Sequence, residues 1–193
     1  MTRILLTILV GVALFLSIGC KKEPLPWTGG IDVWAEEDYG YATYFPDSSW
    51  SANAEMTYSL IRPEKEYAQV VLNRNNEYGE RREVLAFIIP EPRLDCYTLG
   101  SPYSPDGAYI ALSTAIFHTL VADGDAITES FHTSDKSFPS KICFTGISPD
   151  RTRFQGTFQV SLRHDTLGPP IYLGLRPEAF KLIDGRFQVS LYK

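Results

Sequence analysis

The sequence predicts an all-β protein: an antiparallel β-sandwich of about nine or ten strands, with a partly open β-barrel as the alternative closure. Three observations carry that expectation. Apolar residues recur at every second position over several stretches, which is the period of a strand. Aromatic residues make up 13% of the chain, and 14 glycines and 13 prolines punctuate it, a composition of short strands between turns. No stretch sustains a helical period: Asn73, Asn75, Asn76 and Gly79 are poor helix formers, and Pro63 allows at most a short turn through Glu66.

Taken in order, Tyr41 to Phe45 reads as a strand and Pro46-Asp47-Ser48-Ser49 as a turn. Met56, Tyr58 and Leu60 then alternate with Thr57 and Ser59. Tyr67 to Asn73 follows as a strand. Val84 to Ile89 is continuously apolar, as in a strand buried on both faces, and Pro90 stops it. Leu94 to Leu99 and Ala108 to Ser113 flank turn residues around Gly100 and Asp106-Gly107. Ile116 to Ala122 and Asp125 to Thr133 form a hairpin about Asp123-Gly124, a favoured two-residue turn because both positions need positive φ. That register sets Leu120 opposite Ile127, Ile116 opposite Phe131 and His118 opposite Glu129. Ile142 to Ile147 and Arg153 to Arg163 pair about Ser148-Pro149-Asp150, with Phe154, Gly156, Phe158, Val160 and Leu162 on one face. Gly156 points to a bulge or bend. The last strand, Arg186 to Tyr192, turns Phe187, Val189 and Leu191 inward.

The first twenty residues stand apart from this pattern. Arg3 is followed by an uncharged run from Ile4 to Ile18, then by Gly19-Cys20-Lys21-Lys22. The run is shorter than the ~20 residues a spanning helix needs. A positive start, a short apolar core and a small residue before the cut read as a secretion signal. The segment resembles a bacterial lipoprotein signal peptide, departing at Ser17 and Ile18 from its commonest pattern of Leu followed by a small residue. The expected organisation is a signal peptide over 1–19, lipidated Cys20 with a tether through residue 26, and one β-sandwich domain over 27–193. Two or more acyl chains, such as palmitate, on Cys20 would give a stable membrane anchor where one is marginal. Lys21 follows the lipid site where Asp would favour the inner membrane, so an outer-membrane location in the cell envelope is expected. The tether, fully extended, spans about 20 Å at most.

Loss of Arg3 with the leader takes the formal charge from −5 to −6. The basic residues are scattered and form no stripe, which argues against a nucleic-acid partner. With Cys20 assigned to lipid, Cys96 and Cys143 are an even pair in a compartment where disulfides persist. A bridge would close a long loop and contribute about 4 kcal/mol in the chain-entropy model. Alternation argues the other way: Cys143 shares a face with Lys141 and Thr145, Cys96 with Leu94 and Thr98, so one thiol looks outward and the other inward. The residues leave the bridge open.

The C-terminal third carries a second resemblance. Gly156-Thr157-Phe158 lies on an alternating strand, and Asp184-Gly185-Arg186-Phe187-Gln188-Val189 sits near the end. With the lipoprotein-like Ser17-Ile18-Gly19-Cys20 and an early Trp50, these motifs resemble small lipoproteins common in Bacteroidota that share a "G-T-F … D-G-x-F-x-V" ending. The clear match covers roughly 140–192. The resemblance implies a sandwich-like envelope domain and no established activity, so no functional residue is carried over. Asp184-Gly185 reads as a turn, and Phe158 and Phe187 as core.

No catalytic motif is present: no Gly-x-Ser-x-Gly, no His-Glu-x-x-His, no phosphate loop. His118 opposite Glu129 has the form of a base with its orienting carboxylate, yet such a cross-strand pair is more often a structural contact of about 0.2–1 kcal/mol. Asp123-Gly124-Asp125 lacks the full set of oxygen ligands for calcium and reads as a plain turn. Neither metal nor cofactor is expected. Trp27, Trp34 and Trp50 are the candidate ligand-binding aromatics, flat rings suited to stacking on sugars, with core packing as the alternative use. Thr166 in Asp165-Thr166-Leu167 resembles an O-glycosylation acceptor of Bacteroidota. The expected function is a non-catalytic lipoprotein, held to the membrane through Cys20 and binding a protein or glycan partner. The alternative is an envelope hydrolase acting on polysaccharide or another polymer.

Overall fold

Among the described residues ten strands follow one another: β1 (Tyr39–Tyr44), β2 (Ser48–Arg62), β3 (Lys65–Asn75), β4 (Arg81–Ile89), β5 (Cys96–Thr98), β6 (Thr114–Leu120), β7 (Ile127–Thr133), β8 (Lys141–Ile147), β9 (Arg153–His164) and β10 (Ala179–Ser190). The computed structural model describes residues 37–44, 48–62, 65–101, 113–121, 126–133, 137–165 and 177–191. Every strand pairing is antiparallel. Neighbours run β10-β1-β2-β3-β4-β6-β7-β9-β8-β5, and β10 also pairs with β9, so the order returns on itself as a ring with β8 and β5 extending from β9. The architecture is the all-β antiparallel β-sandwich that the alternation predicts.

Alternation places the core. Val70 and Leu72 on β3, Leu85 and Phe87 on β4, Phe117 on β6, Phe131 on β7, Phe154 to Leu162 at every second position on β9, and Phe187 and Val189 on β10 are all buried. Rings from distant strands meet across it. Phe87 lies 5.0 Å from Phe158, and Phe180 lies 5.1 Å from both Phe117 and Phe131, in tilted and edge-on arrangements. Each such pair adds about 0.5–1.5 kcal/mol to what burial supplies.

The two Gly-x-Phe triplets turn out to face one another. In the β9–β10 register Gly156 is opposite Phe187, Thr157 opposite Arg186 and Phe158 opposite Gly185. A side chain at Gly156 would meet the Cys143 carbonyl oxygen and the Phe187 ring, and one at Gly185 would meet the Phe158 ring. Each phenylalanine therefore covers the bare backbone of the glycine across from it. That reciprocal fit explains the C-terminal motif as packing.

Several expectations are corrected. Asp184-Gly185 does not turn the chain: β10 runs through it, with a bulge between Leu182 and Gly185 and Asp184 at φ 52°. The strand consequently starts seven residues earlier than Arg186. β4 is not buried on both faces, since Val84 and Ala86 are only half-buried beside Leu85 and Phe87. Leu94 to Leu99 shortens to the three residues of β5, with Leu94 exposed outside it. That difference decides the cysteines. Leu94 is not in the strand, so it does not define an inward face. Cys96 pairs directly with Cys143 and the two are bridged, against the alternation argument. The Asp123-Gly124 turn and the expected strand over residues 108–112 lie outside the described residues.

The hairpin keeps Leu120 opposite Ile127, but a bulge between Thr119 and Leu120 shifts the rest by one residue. Phe117 then faces Phe131, Ile116 faces His132, and His118 faces Ser130 instead of Glu129. The bulge lets both phenylalanines enter the core, which the bulge-free register would have denied to Phe117.

Candidate functional site

Strands β4, β6 and β7 gather polar side chains on both faces of one stretch of sheet. On the inner face Glu83, Thr119 and Glu129 form a cross-strand row. All three are buried. A buried carboxylate requires donors, and each acid has them. Trp50 Nε1 donates to Glu83 Oε2 at 2.8 Å, and Arg74 Nη1 donates to the same oxygen at 3.1 Å. Arg74 comes from the end of β3, so its guanidinium is half out in solvent while its partner is inside. Thr119 Oγ1 lies 3.3 Å from Glu129 Oε2 and 2.8 Å from Thr128 Oγ1. A hydroxyl has one proton, so Thr128 donating to Thr119 and Thr119 to Glu129 satisfies both contacts.

On the outer face His118 sits across from Ser130, and His132 lies two residues beyond Ser130 on β7. The two imidazoles are therefore diagonal neighbours, about 7–8 Å apart at the backbone. Asp165 joins them from the segment after β9, where its N–H donates to the Ser130 carbonyl at 2.7 Å. Its carboxylate is buried and stands 4.0 Å from His132 Nδ1. Burial pushes the His118 imidazole below the ordinary histidine pKa, with Asp165 opposing. Burial does the same to His132, where Asp165 again opposes and Arg163 and His164 add to the lowering.

Ser130, His118 and Asp165 have the composition of a hydrolytic triad but not its connections. A triad needs a hydrogen bond from hydroxyl to base and another from base to carboxylate. His118 Nδ1 is buried with no hydrogen-bond partner, and the His132–Asp165 separation exceeds hydrogen-bond length. Among the described residues no group of three His, Cys, Asp or Glu side chains is placed to hold a metal ion.

Trp50 is not a surface platform. Its ring is 1% exposed, within the core, and its N–H is bound to Glu83. The pairing Ala42–Trp50 between β1 and β2 turns it inward. Trp27, Trp34, Cys20 and Thr166 lie outside the described residues. Asp165, the described member of the Asp165-Thr166-Leu167 motif, is buried against β7. Sequence reasoning missed the Glu83 cluster, and the signal was available: Glu83 occupies an inward position two residues before Leu85, where a charge requires a buried partner. Asp165 gave no such signal, since it follows the strand.

Comparison with protein-family models, with curated proteins and with solved structures gives no match for this chain.

Proposed function

We propose that the protein is a non-catalytic, lipid-anchored lipoprotein of the cell envelope, on the outer membrane, binding a protein or glycan partner, of the kind common in Bacteroidota. The single observation that carries this reading is the N-terminal segment: a charged start, the uncharged run Ile4 to Ile18, and Gly19-Cys20. The non-catalytic half of the reading agrees with the buried acids. Glu83 and Glu129 are engaged by Trp50, Arg74 and Thr119, so their hydrogen-bonding capacity serves packing. The candidate partner surface on the sequence is Trp27 and Trp34; Trp50 is withdrawn from it by burial.

Cys20→Ser removes the acyl acceptor and should leave an uncleaved or mislocalised precursor. Membrane fractionation with intact mass reads this. An acyl-free mature protein from both wild type and variant, differing in mass only by the sulfur-for-oxygen exchange, would sink the anchor. Replacing Trp27 and Trp34 together should then abolish retention of the partner on the anchored protein.

The hydrolase reading keeps one observation in its favour, the gathering of Ser130, His118, His132 and Asp165 on one face. Ser130→Ala separates the two readings. Loss of hydrolysis of an envelope polymer by the variant would establish the enzyme; unchanged partner retention without turnover supports the binder.

A further inference from the structure

We propose that His118, His132 and Asp165 form an acid-released clasp on the joint between β7 and β9, so that proton uptake by the two imidazoles loosens this joint and opens the strand ring there.

The joint is short. β9 pairs with β10 along its whole length, from Ala179 opposite Arg163 to Ser190 opposite Arg153. Among the described residues it pairs with β7 through Phe131 with His164, His132 with Arg163, and Thr133 with Leu162. Beyond these, Asp165 N–H to the Ser130 carbonyl continues the contact. A joint of so few backbone hydrogen bonds is where local opening costs least. The histidines sit on it or beside it: His132 is in the paired segment, and His118 is one strand further along the same face.

The surroundings favour the neutral imidazoles. From β4 the residues facing His118 are Val84, directly opposite, and Ala86, both apolar; Arg82 is the next position outward and is bound to Glu80 at 2.9 Å. From β6 come Ile116 and Leu120, and from β7 Ser130. From β9 come Arg163, directly opposite His132, then His164. From β10 Ala179 faces Arg163, while Lys181 lies two positions on, over the Phe138 ring at 4.7 Å. Glu178 contributes its backbone carbonyl to His164 N–H. Among the described residues Asp165 is the carboxylate that acts on both imidazoles. Two imidazolium charges beside Arg163, with one carboxylate to answer them, repel one another across a half-buried face. The lowered histidine values agree with this geometry.

The sign follows from linkage. A group that binds its proton more weakly in the closed state gives an opened state that holds more protons at intermediate pH. The closed joint is therefore favoured above the ordinary histidine range and loses ground as pH falls through it.

Hydrogen exchange of the full chain in detergent tests this, comparing pH 7.5 with pH 5.5 after correction for intrinsic exchange rates. Amides of residues 131–133 and 162–165 should show a severalfold rise in exchange at the lower pH, while residues 70–72 and 187–189 stay unchanged. His118→Gln with His132→Gln should remove the rise. Direct titration of the imidazole signals in the wild-type chain gives a second reading that does not depend on the variant folding. Both should titrate below about 6.5, the ordinary value. Uniform exchange changes across the chain, or either imidazole titrating at or above the ordinary value, would overturn the clasp.

Discussion

β9 is held on its two sides by unlike means. Toward β10 it has a long ladder interrupted by one bulge, and the reciprocal fit of Gly156 under Phe187 and Gly185 under Phe158. Toward β7 it has three residue pairs, with half-buried histidines and one carboxylate packed beside them. The first joint is built from close packing, which is insensitive to pH. The second is built from ionisable groups at the place where the ladder is shortest. Stability in this sandwich is therefore expected to be uneven around the ring, and solution conditions should act on one joint before the other.

The strong joint breaks most readily at its rings. Phe187→Ala removes a fully buried phenyl and uncovers Gly156; a loss of about 3–5 kcal/mol is expected, as for other core aromatic truncations, read by urea denaturation. A loss of only about 1.5–3 kcal/mol, what burial of the side chain alone supplies, would mean the Gly–Phe interlock contributes little beyond surface area. Next in size is the bridge that ties β5 to β8, the strand along the N-terminal half of β9. Replacing Cys96 and Cys143 with Ala should cost about 2–4 kcal/mol and should not change the exchange of residues 131–133, since the bridge lies on the other part of β9.

Glu83→Ala strands the buried Trp50 N–H and should cost about 1–3 kcal/mol. Glu83→Gln keeps an acceptor and should cost less. Equal losses in the two variants would show that charge, through Arg74, matters more than the hydrogen bond to Trp50. The smallest effect belongs to the weak joint. Lowering pH from 8 to 5.5 should reduce the denaturation midpoint of the wild type, because His118 and His132 hold lowered values in the fold and the unfolded chain binds protons first. The change should set in as pH falls through the ordinary histidine range and be largely absent from the His118→Gln, His132→Gln chain.

Much of the framework was legible in the residues. The β9 alternation from Phe154 to Leu162 appears in the structure on the face expected of it. The Ser148-Pro149-Asp150 turn closes as read: Ser148 Oγ accepts from Arg153 N–H at 2.9 Å and donates to Asp150 at 2.6 Å. Hydrogen bonds from the Ser148 hydroxyl and from the hydroxyl and backbone N–H of Thr152 hold the Asp150 carboxyl down at about 2. Phe158 and Phe187 fill the core as expected. Less of the candidate site was legible. The hairpin was placed correctly near its tip and wrongly beyond it. One extra residue on β7, Thr128, opposite the step from Thr119 to Leu120, turned a histidine–glutamate pair into a buried acid row on one face and a histidine cluster on the other.

What the sequence by itself determined is what repeats locally. Strand periodicity, turn residues and the composition of the N-terminal segment each follow from a few adjacent side chains, and they gave an all-β chain of about ten strands. Only the tertiary structure decided which strands are neighbours and in what register. The Cys96–Cys143 bridge, the Gly–Phe interlock and the meeting of Asp165 with His132 all depend on pairings between distant segments. A bulge changes such pairings by one residue at little local cost, and local patterns carry no record of it because the deciding energy is the burial of Phe117 and Phe131 in a core shared by the whole ring.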